Sequence, residues 1–285
     1  MNTLSHLLNF LSTCPEFHRP NSKQYKYLKQ ISKSLSDSLF GSDQSCVDEW
    51  EKVGKIQMPY FEMGNINSSH LFGIDELIIF SYYIINFARY KNAIDIGANI
   101  GLHSIILSKL GINTKSFEPD PVHMKKLKKN FYLNGIKDKI EPYQYAISNQ
   151  EKQLEFCRVV GNTTGSHLVG SKENPYGELE YFLVNSKNVK EFFFEADLIK
   201  LDAEGHEDVI LCSLNISDWK NQEVFVEVGS FENAKKIFDH FFKTGINLFS
   251  QKEGWKKVNK IQEMPFSYKE GSLFISKEKE MYWNS

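Results

Sequence analysis

The sequence has few cysteines and almost no excess of charge of either sign. Its four cysteines are scattered over 285 residues and form no C-x-x-C pair, which excludes a zinc ribbon or a dense disulfide framework as the organising principle. The 34 basic and 36 acidic residues give a net charge of −2, so the chain lacks the basic excess typical of nucleic-acid-binding proteins. We therefore expect no nucleic-acid partner.

A long hydrophobic run is also missing. The most apolar stretch, 77–87, is too short to cross a bilayer and is flanked by Glu76 and Arg89, which favours a buried helix. The first leucines follow no basic residue, so the N-terminus is a poor secretory signal. We expect a cytoplasmic protein without a membrane span. Its 41% hydrophobic residues are enough for a sizeable core.

The pattern of apolar residues divides the chain. Leucines at helical spacing predict a mostly helical N-terminal extension over residues 1–70. In the second region, 71–285, strands alternate with helices after residue 90, which predicts a largely parallel α/β sheet covered on both faces. Such a sheet binds ligands at the carboxyl ends of its strands. Among the predicted strands are 93–96, 114–117, 140–147, 198–201 and 224–228.

The first candidate site is DIGANIG at 95–101, a glycine-rich turn between a strand and a helix. A dinucleotide fingerprint needs glycines where Asn99 and Leu102 stand. Asp95 would repel a pyrophosphate but suits a cationic sulfonium, and Glu118 at the next strand end can accept hydrogen bonds from ribose hydroxyls. The pattern favours S-adenosylmethionine. The alternative is that Asp95 caps the turn and Glu118 is an exposed strand end.

Five runs carry a family resemblance: AIDIGANIG, SFEPDP, YAIS, LIKLDAEGHE and VFVEVGS, together spanning about residues 90 to 230. They resemble the FkbM-type family of S-adenosylmethionine-dependent methyltransferases. The most specific piece, KLDAEGHE at 200–207, is similar to the family's K-[IL]-D-x-E-G-x-E. The resemblance implies a seven-stranded class I (Rossmann-like) sheet with its last strand antiparallel. It also implies O-methylation of a saccharide, as in polysaccharide biosynthesis, or of a small natural product.

The resemblance also implies which residues contact the cofactor. Ala146 would lie near the adenine, where Ser148 or backbone groups replace the acidic residue that many methyltransferases place after the third strand. The implied cofactor contacts are Asp95, Gly97, Ala98, Asn99, Gly101, Glu118, Pro119, Ala146 and Asp202.

The second candidate site is the acidic segment 202–207 at a strand's carboxyl end. Removing the proton of a hydroxyl acceptor needs a positioned base, and we predict Asp202 or His206 for this role, with Glu204 orienting the substrate or the base. Glu207 and Asp208 start a helix and are better explained by its dipole. Further predicted acceptor contacts are Glu227, Thr164, Ser166 and His167.

Three alternatives stay open. A divalent metal on Asp202, Glu204, His206 and Glu227 is chemically allowed, but their spacing is not a recognised ligand pattern, so we expect no metal. The acceptor could be RNA, protein or an amine instead of a saccharide or small molecule. The chain could also be a cofactor-binding module without catalysis. Homodimer formation is compatible with the sequence but not readable from it.

Overall fold

The computed structural model describes residues 3–41, 45–172 and 177–283. The N-terminal part of the fold contains α1 (Thr3–Thr13), α2 (Lys23–Phe40), β1 (Cys46–Trp50) and β2 (Gly54–Met58). Next come α3 (Ile74–Asn86), β3 (Asn92–Ile96), α4 (Leu102–Lys109), β4 (Asn113–Phe117) and α5 (Pro121–Leu133). Then follow β5 (Ile140–Tyr143), β6 (Ala146–Ser148), β7 (Lys152–Val159), β8 (His167–Leu168), β9 (Leu179–Asn188) and α6 (Lys190–Phe193). The rest comprises β10 (Leu198–Leu201), α7 (Glu207–Leu211), β11 (Glu223–Glu227), α8 (Phe231–Phe241), β12 (Asn247–Ser250), β13 (Lys256–Lys257) and β14 (Ser272–Ser276).

The main sheet has eight strands in the order β13-β12-β14-β11-β10-β3-β4-β5. Strands β11, β10, β3, β4 and β5 run parallel, whereas β14 is antiparallel to β11 and β12. Strands β11 and β14 are largely apolar, as expected where helices cover both faces of a sheet, whereas β4 carries Thr114, Lys115 and Ser116. This is the predicted methyltransferase-like α/β fold. Its sheet has one strand more than the seven expected, since the two-residue β13 adds to the edge.

A second sheet lies outside this plan. The predicted strand 140–147 is broken: β5 stays in the main sheet, but β6 leaves it and pairs with β9. Strands β6, β9, β7 and β8 form a four-stranded sheet. The long hairpin β7–β9 is antiparallel over eight residue pairs, from Lys152 opposite Ser186 to Val159 opposite Leu179. The segment 161–177 is rich in Gly, Asn, Ser and Thr, which predicts a loop, but it contains the two-residue β8; its residues 173–176 lie outside the described residues.

The apolar run forms the predicted buried helix, α3, which has 13 residues. No helix in the described ranges is both long enough and apolar enough to span a membrane. Leu4 and Leu8 of α1 are buried in the same hydrophobic cluster as Leu77 of α3 and Ile105 of α4. The N-terminal region is therefore packed on the sheet domain through a common core. Besides its two α-helices, it contains the hairpin β1–β2, which the leucine pattern did not indicate.

Candidate functional site

A cleft of about 230 Å³ lies at the carboxyl ends of the parallel strands. It occupies the position that open α/β sheets use for ligands. Most predicted site residues line it: Gly97, Asn99, Glu118, Pro119, Ala146, Thr164, Ser166, His167, Asp202, Glu204 and Glu227. Four do not line it: Asp95, Ala98, Gly101 and His206.

The glycine turn contacts the acidic segment at Gly97. This residue has φ of +75°, and a Cβ atom there would lie 1.8 Å from the carbonyl oxygen of Asp202. The Asp202 N–H in turn donates to the Ile96 carbonyl over 3.0 Å. Only glycine permits both the conformation and so close an approach of two backbones. The first and second candidate sites are thus two walls of one cleft.

Glu118 presents a buried carboxylate at the floor of the cleft. One oxygen accepts the Asn99 N–H over 2.8 Å and the other accepts the Asp120 N–H over 2.9 Å. Burial nevertheless raises the pKa of Glu118 to about 8, against these two donors. The Asn99 side-chain oxygen is buried beside it and has no hydrogen-bond partner among the described residues. These two acceptors suit a ligand that carries hydroxyl donors, such as a ribose.

The predicted contacts that do not line the cleft lie beneath its turn. Asp95 is 1% exposed, and its carboxylate accepts the Ser104 hydroxyl over 2.6 Å. Ala98 is buried. Gly101 is packed against α5, because a Cβ there would lie 2.7 Å from the Phe131 ring. These three residues therefore support the turn from below. The spacing of residues along the sequence does not distinguish such supporting positions from positions that line the cleft.

Four acidic side chains surround one buried lysine at the other end of the cleft. Lys200 is 3% exposed, and its Nζ lies 3.5 Å from Asp202 Oδ2. Burial acts to lower the pKa of Lys200, but the charges of Asp202, Glu76, Glu227 and Asp95, in that order, together outweigh it and raise the pKa above its ordinary value. Residues two apart in a strand point to the same side, so the side chains of Lys200 and Asp202 meet on one side of β10.

Glu204 is held by a partner that sequence analysis missed. Its backbone has φ of +52°, and its carboxylate pairs with the ammonium of Lys172. Burial and the neighbouring Asp202 raise the pKa of Glu204 to about 7, although Lys172 opposes the shift. Lys172 comes from the polar segment after β8, more than thirty residues away along the chain, so no local motif could indicate the pair.

His206 points away from the cleft. Its Nε2 lies 3.0 Å from the Ser148 hydroxyl, and its Nδ1 lies 3.1 Å from the Ser171 hydroxyl. Burial lowers its pKa below the ordinary value. With both ring nitrogens engaged by serines, the imidazole connects the acidic loop to the end of β6 and to the segment after β8.

Glu207 organises the acidic loop from behind. Its carboxylate is 1% exposed and accepts the Ala203 N–H over 2.9 Å, the Gly205 N–H over 3.0 Å and the Asn233 side-chain amide over 2.8 Å. Asp208, the other acidic residue of this turn, forms an ion pair with Lys236. Glu207 therefore stabilises the shape of the loop that carries Asp202 and Glu204, whereas Asp208 connects α7 to α8.

Two variants separate the hydrogen-bonding role of Glu207 from the effect of its charge. We expect Glu207→Ala to lower the free energy of unfolding by more than about 2 kcal/mol, because each buried donor left unpaired costs about 1–3 kcal/mol. Glu207→Gln keeps an acceptor for Ala203 and Gly205. Its new amide can donate to the Asn233 side-chain oxygen, which has no partner in the described structure, once that amide turns over. We expect this variant to stay within about 1 kcal/mol of the wild type in urea unfolding.

The Glu207→Gln variant should also change how the stability of the protein depends on pH. Burial raises the pKa of Glu207 from 4.5 to about 7, although the N–H groups of Gly205 and Ala203 act to lower it. The folded protein thus retains a proton that the unfolded chain loses near pH 4.5, and this contribution to stability disappears as the pH rises through about 7. We expect Glu207→Gln to lose less stability than the wild type between pH 5 and 8. If the free energy of unfolding changed equally with pH in the variant and the wild type, this expectation would be wrong.

Two loops form a roof over the cleft. The Asn65 N–H donates to the Gly161 carbonyl over 2.7 Å, and the Thr163 N–H donates to the Met63 carbonyl over 3.1 Å. Gly64 touches this second loop so closely that a Cβ would lie 2.1 Å from Gly161. The N-terminal region thereby supplies part of the cleft wall, with Ile66, His70 and Leu71.

The predicted acceptor contacts of the polar loop are partly used within the loop itself. Thr164 Oγ1 donates to Asn162 over 2.8 Å, Ser166 Oγ donates to the Thr163 carbonyl over 2.8 Å, and His167 Nδ1 lies 2.9 Å from the Gly165 carbonyl. These bonds fix the loop where it lines the cleft. His123, which was not predicted, lies 2.9 Å from the Thr163 hydroxyl and joins the lining.

The N-terminal end of α3 adds an acidic residue that the sequence did not indicate. Glu76 Oε2 lies 2.7 Å from His103 Nε2, and His103 Nδ1 lies 3.2 Å from the Tyr83 hydroxyl. His103 therefore faces Glu76 and Tyr83, and it is Glu76 that lines the cleft. Within the described ranges, no group of three or more His, Cys, Asp and Glu side chains is arranged to hold a metal ion.

Comparison with known proteins gives one match in sequence and several in shape. The model of the methyltransferase FkbM domain matches residues 95–257, more than half of the chain. No curated protein matches the chain in sequence.

Among solved structures, a methyltransferase FkbM from Methylobacillus flagellatus KT has a TM-score of 0.38 and 11% identity, over 65% of this chain and 43% of that one. An S-adenosylmethionine-dependent methyltransferase from Agrobacterium tumefaciens has a TM-score of 0.44 and 8% identity, over 83% of this chain and 71% of that one. The present chain thus spans less than half of the first of these two proteins.

Proposed function

The chain belongs to the FkbM methyltransferase family, and on that premise we propose that it transfers a methyl group from S-adenosylmethionine to a hydroxyl of a saccharide or a small natural product. The family match confirms the resemblance carried by the sequence motifs. The methyl donor of this family is S-adenosylmethionine, whose sulfonium makes the methyl group electrophilic. The proposal for this chain is supported above all by the contact between the Gly97 turn and the Asp202 loop beside the buried Glu118 carboxylate.

The cleft residues fit this donor. Glu118 and the unpartnered side-chain oxygen of Asn99 would accept hydrogen bonds from the ribose hydroxyls. Ala146 and Pro119 would border the adenine, and Ser148 is already engaged by His206. The bare backbone of Gly97 allows a ligand to lie against the turn. Asp95, Ala98 and Gly101 would act by supporting the turn from below.

At the acceptor end we propose Asp202 as the base. It lines the cleft directly after β10, and its ion pair with Lys200 orients the carboxylate. When the acceptor oxygen gains the methyl group, Asp202 would take the hydroxyl proton. Glu204, held by Lys172, would orient the acceptor, and His206 would position the loop through its two serines. Glu227, Thr164, Ser166 and His167 would complete the acceptor contacts.

The domain boundaries, the location, the biological role and the oligomeric state belong to the same proposal. We take residues 1–70 as an extension that walls the cleft and residues 71–285 as the catalytic domain. A cytoplasmic location agrees with four cysteines that form no disulfide in the structure. A role in polysaccharide biosynthesis and homodimer formation are further parts of the proposal. An RNA acceptor is disfavoured by the net charge of −2.

Glu118→Gln tests the cofactor half of the proposal by calorimetry with S-adenosylhomocysteine. The new amide would set its NH₂ against the N–H of Asn99 or Asp120 and would remove an acceptor for ribose. We expect the affinity to fall at least about tenfold, or about 1.4 kcal/mol. Glu155→Gln, which replaces an exposed carboxylate on β7, is the matched control and should leave the affinity unchanged. Wild-type protein that binds NAD but not S-adenosylhomocysteine would refute the proposal.

A further inference from the structure

A second cavity, of about 180 Å³, adjoins the acceptor end of the cleft. His70, Glu76 and Glu227 line both cavities, so a molecule in the second one would reach the place where Asp202 and Glu227 end their strands. Its far side is formed by Tyr268 and by Ser272, the first residue of β14, which pairs with Glu227. We call this cavity the acceptor chamber. Its volume corresponds to about six water molecules of about 30 Å³ each, the size of a single ring.

The lining of the acceptor chamber offers hydrogen-bonding groups that have no partner among the described residues. The half-buried Glu227 carboxyl makes no hydrogen bond with any described residue, and neither does the Ser272 hydroxyl. His70 Nδ1 lies 3.1 Å from the Asn67 N–H and accepts from it, which leaves Nε2 as a donor. A polar ligand with several hydroxyl groups would satisfy all three. An apolar ligand would leave them unpaired, which is costly in a half-buried site.

An aromatic face stands at the rim of the acceptor chamber. Tyr268 is 61% exposed, although its ring is large and apolar. A rigid phenol ring gives contact area to the C–H face of a ligand ring while its hydroxyl stays hydrated. A polar floor with one aromatic wall is chemistry that suits a polyhydroxylated ring.

The charge around the acceptor chamber is negative. Its single lysine, Lys200, lies against Asp202 and is shared with Glu76 and Glu227, so the described lining, which also includes Asp75, carries more acidic than basic groups. Burial, and after it the charges of Asp202 and Glu204, raise the pKa of Glu227 well above its ordinary value. The negative charges of Asp202 and Glu204, which disfavour ionisation of Glu227, would also repel an anionic ligand placed beside it.

We propose that the acceptor chamber binds the ring that carries the acceptor hydroxyl, and that it selects an uncharged polyhydroxylated ring over its carboxylated or phosphorylated analogues. This inference rests on the proposed function, since the chamber is useful only beside a bound methyl donor. Tyr268 and Ser272 become specificity residues that no sequence motif marks. Glu76, together with Asp202 and Glu204 beside Glu227, sets the charge preference.

The experiment uses the full chain saturated with S-adenosylhomocysteine, and saturation-transfer NMR of matched sugar pairs. The probes are methyl glycosides of glucose, galactose and mannose, each beside its uronic acid and its 6-phosphate. We expect at least one neutral glycoside to bind at least tenfold more tightly than its acidic counterparts. Tyr268→Ala should weaken that binding at least fivefold, and Tyr268→Phe should retain it. Glu76→Gln should narrow the preference for the neutral sugar.

The control variant is Tyr132→Ala, which removes an equally exposed tyrosine from α5, outside both cavities. Calorimetry with S-adenosylhomocysteine should give the same affinity for wild type, Tyr268→Ala and Tyr132→Ala. A wild-type chain that does not bind S-adenosylhomocysteine would refute the proposed function. If it does bind, the inference alone is overturned by any of three results: no neutral sugar binds, an acidic sugar binds as tightly, or Tyr268→Ala has no effect.

Discussion

Gly97→Ala is expected to reduce the affinity for S-adenosylhomocysteine at least about hundredfold, or about 2.7 kcal/mol. The added Cβ would lie 1.8 Å from the carbonyl oxygen of Asp202, and no side-chain rotation can move a Cβ atom away from a backbone carbonyl. The glycine turn and the acidic loop must therefore separate, which displaces both walls of the cleft. Calorimetry measures the affinity, and thermal unfolding measures the accompanying loss of stability.

Gly111→Ala is the matched control for this substitution. Gly111 has φ of +87°, close to the value at Gly97, but a Cβ there meets no atom within 4 Å. This variant carries only the strain of a left-handed conformation, about 1–2 kcal/mol, and should bind S-adenosylhomocysteine normally. If both variants lose stability equally and Gly97→Ala still binds within threefold of the wild type, the close contact between turn and loop does not shape the cofactor site.

Asp202→Asn is expected to slow single-turnover methyl transfer at least about hundredfold, because a positioned base contributes roughly that factor or more. The amide keeps the shape of the side chain but cannot accept the hydroxyl proton. It also leaves buried Lys200 without its ion-pair partner, so some loss of stability should accompany the loss of rate. Labelled methyl donor and a neutral glycoside accepted by the wild type provide the assay.

Asp208→Asn serves as the control, since Asp208 pairs with Lys236 on the outside of the same turn and lies outside the cleft lining. It should transfer at nearly the wild-type rate. His206→Ala separates the positioning role from the base: we expect a smaller loss than for Asp202→Asn, because its ring contacts two serines and does not line the cleft. Transfer by Asp202→Asn within tenfold of the wild type would remove Asp202 as the base.

The order of strands and helices after residue 90 was predictable because it rests on local patterns. Strands β3, β4, β10 and β11 coincide with the predicted runs within a residue or two at their ends. The predicted run 140–147 is the instructive exception. No glycine marks a break in it, and its one proline, Pro142, lies inside β5; nevertheless β6 leaves the main sheet to pair with β9, about forty residues ahead in the chain. The sequence pattern of a strand does not show which of two possible strands it will pair with.

The sequence by itself determined the strand-turn-helix around Gly97, the acidic strand ends and the family, because each depends on residues that are adjacent along the chain. Only the tertiary structure decided which side chains face the cleft. Asp95 and His206 carry the expected chemistry but are turned toward Ser104, Ser148 and Ser171. Glu76, Lys172 and Tyr268 come from distant segments and have no motif around them. The physical reason is that burial, charge and hydrogen-bond partners belong to positions in space, and separate parts of the chain come together there only on folding.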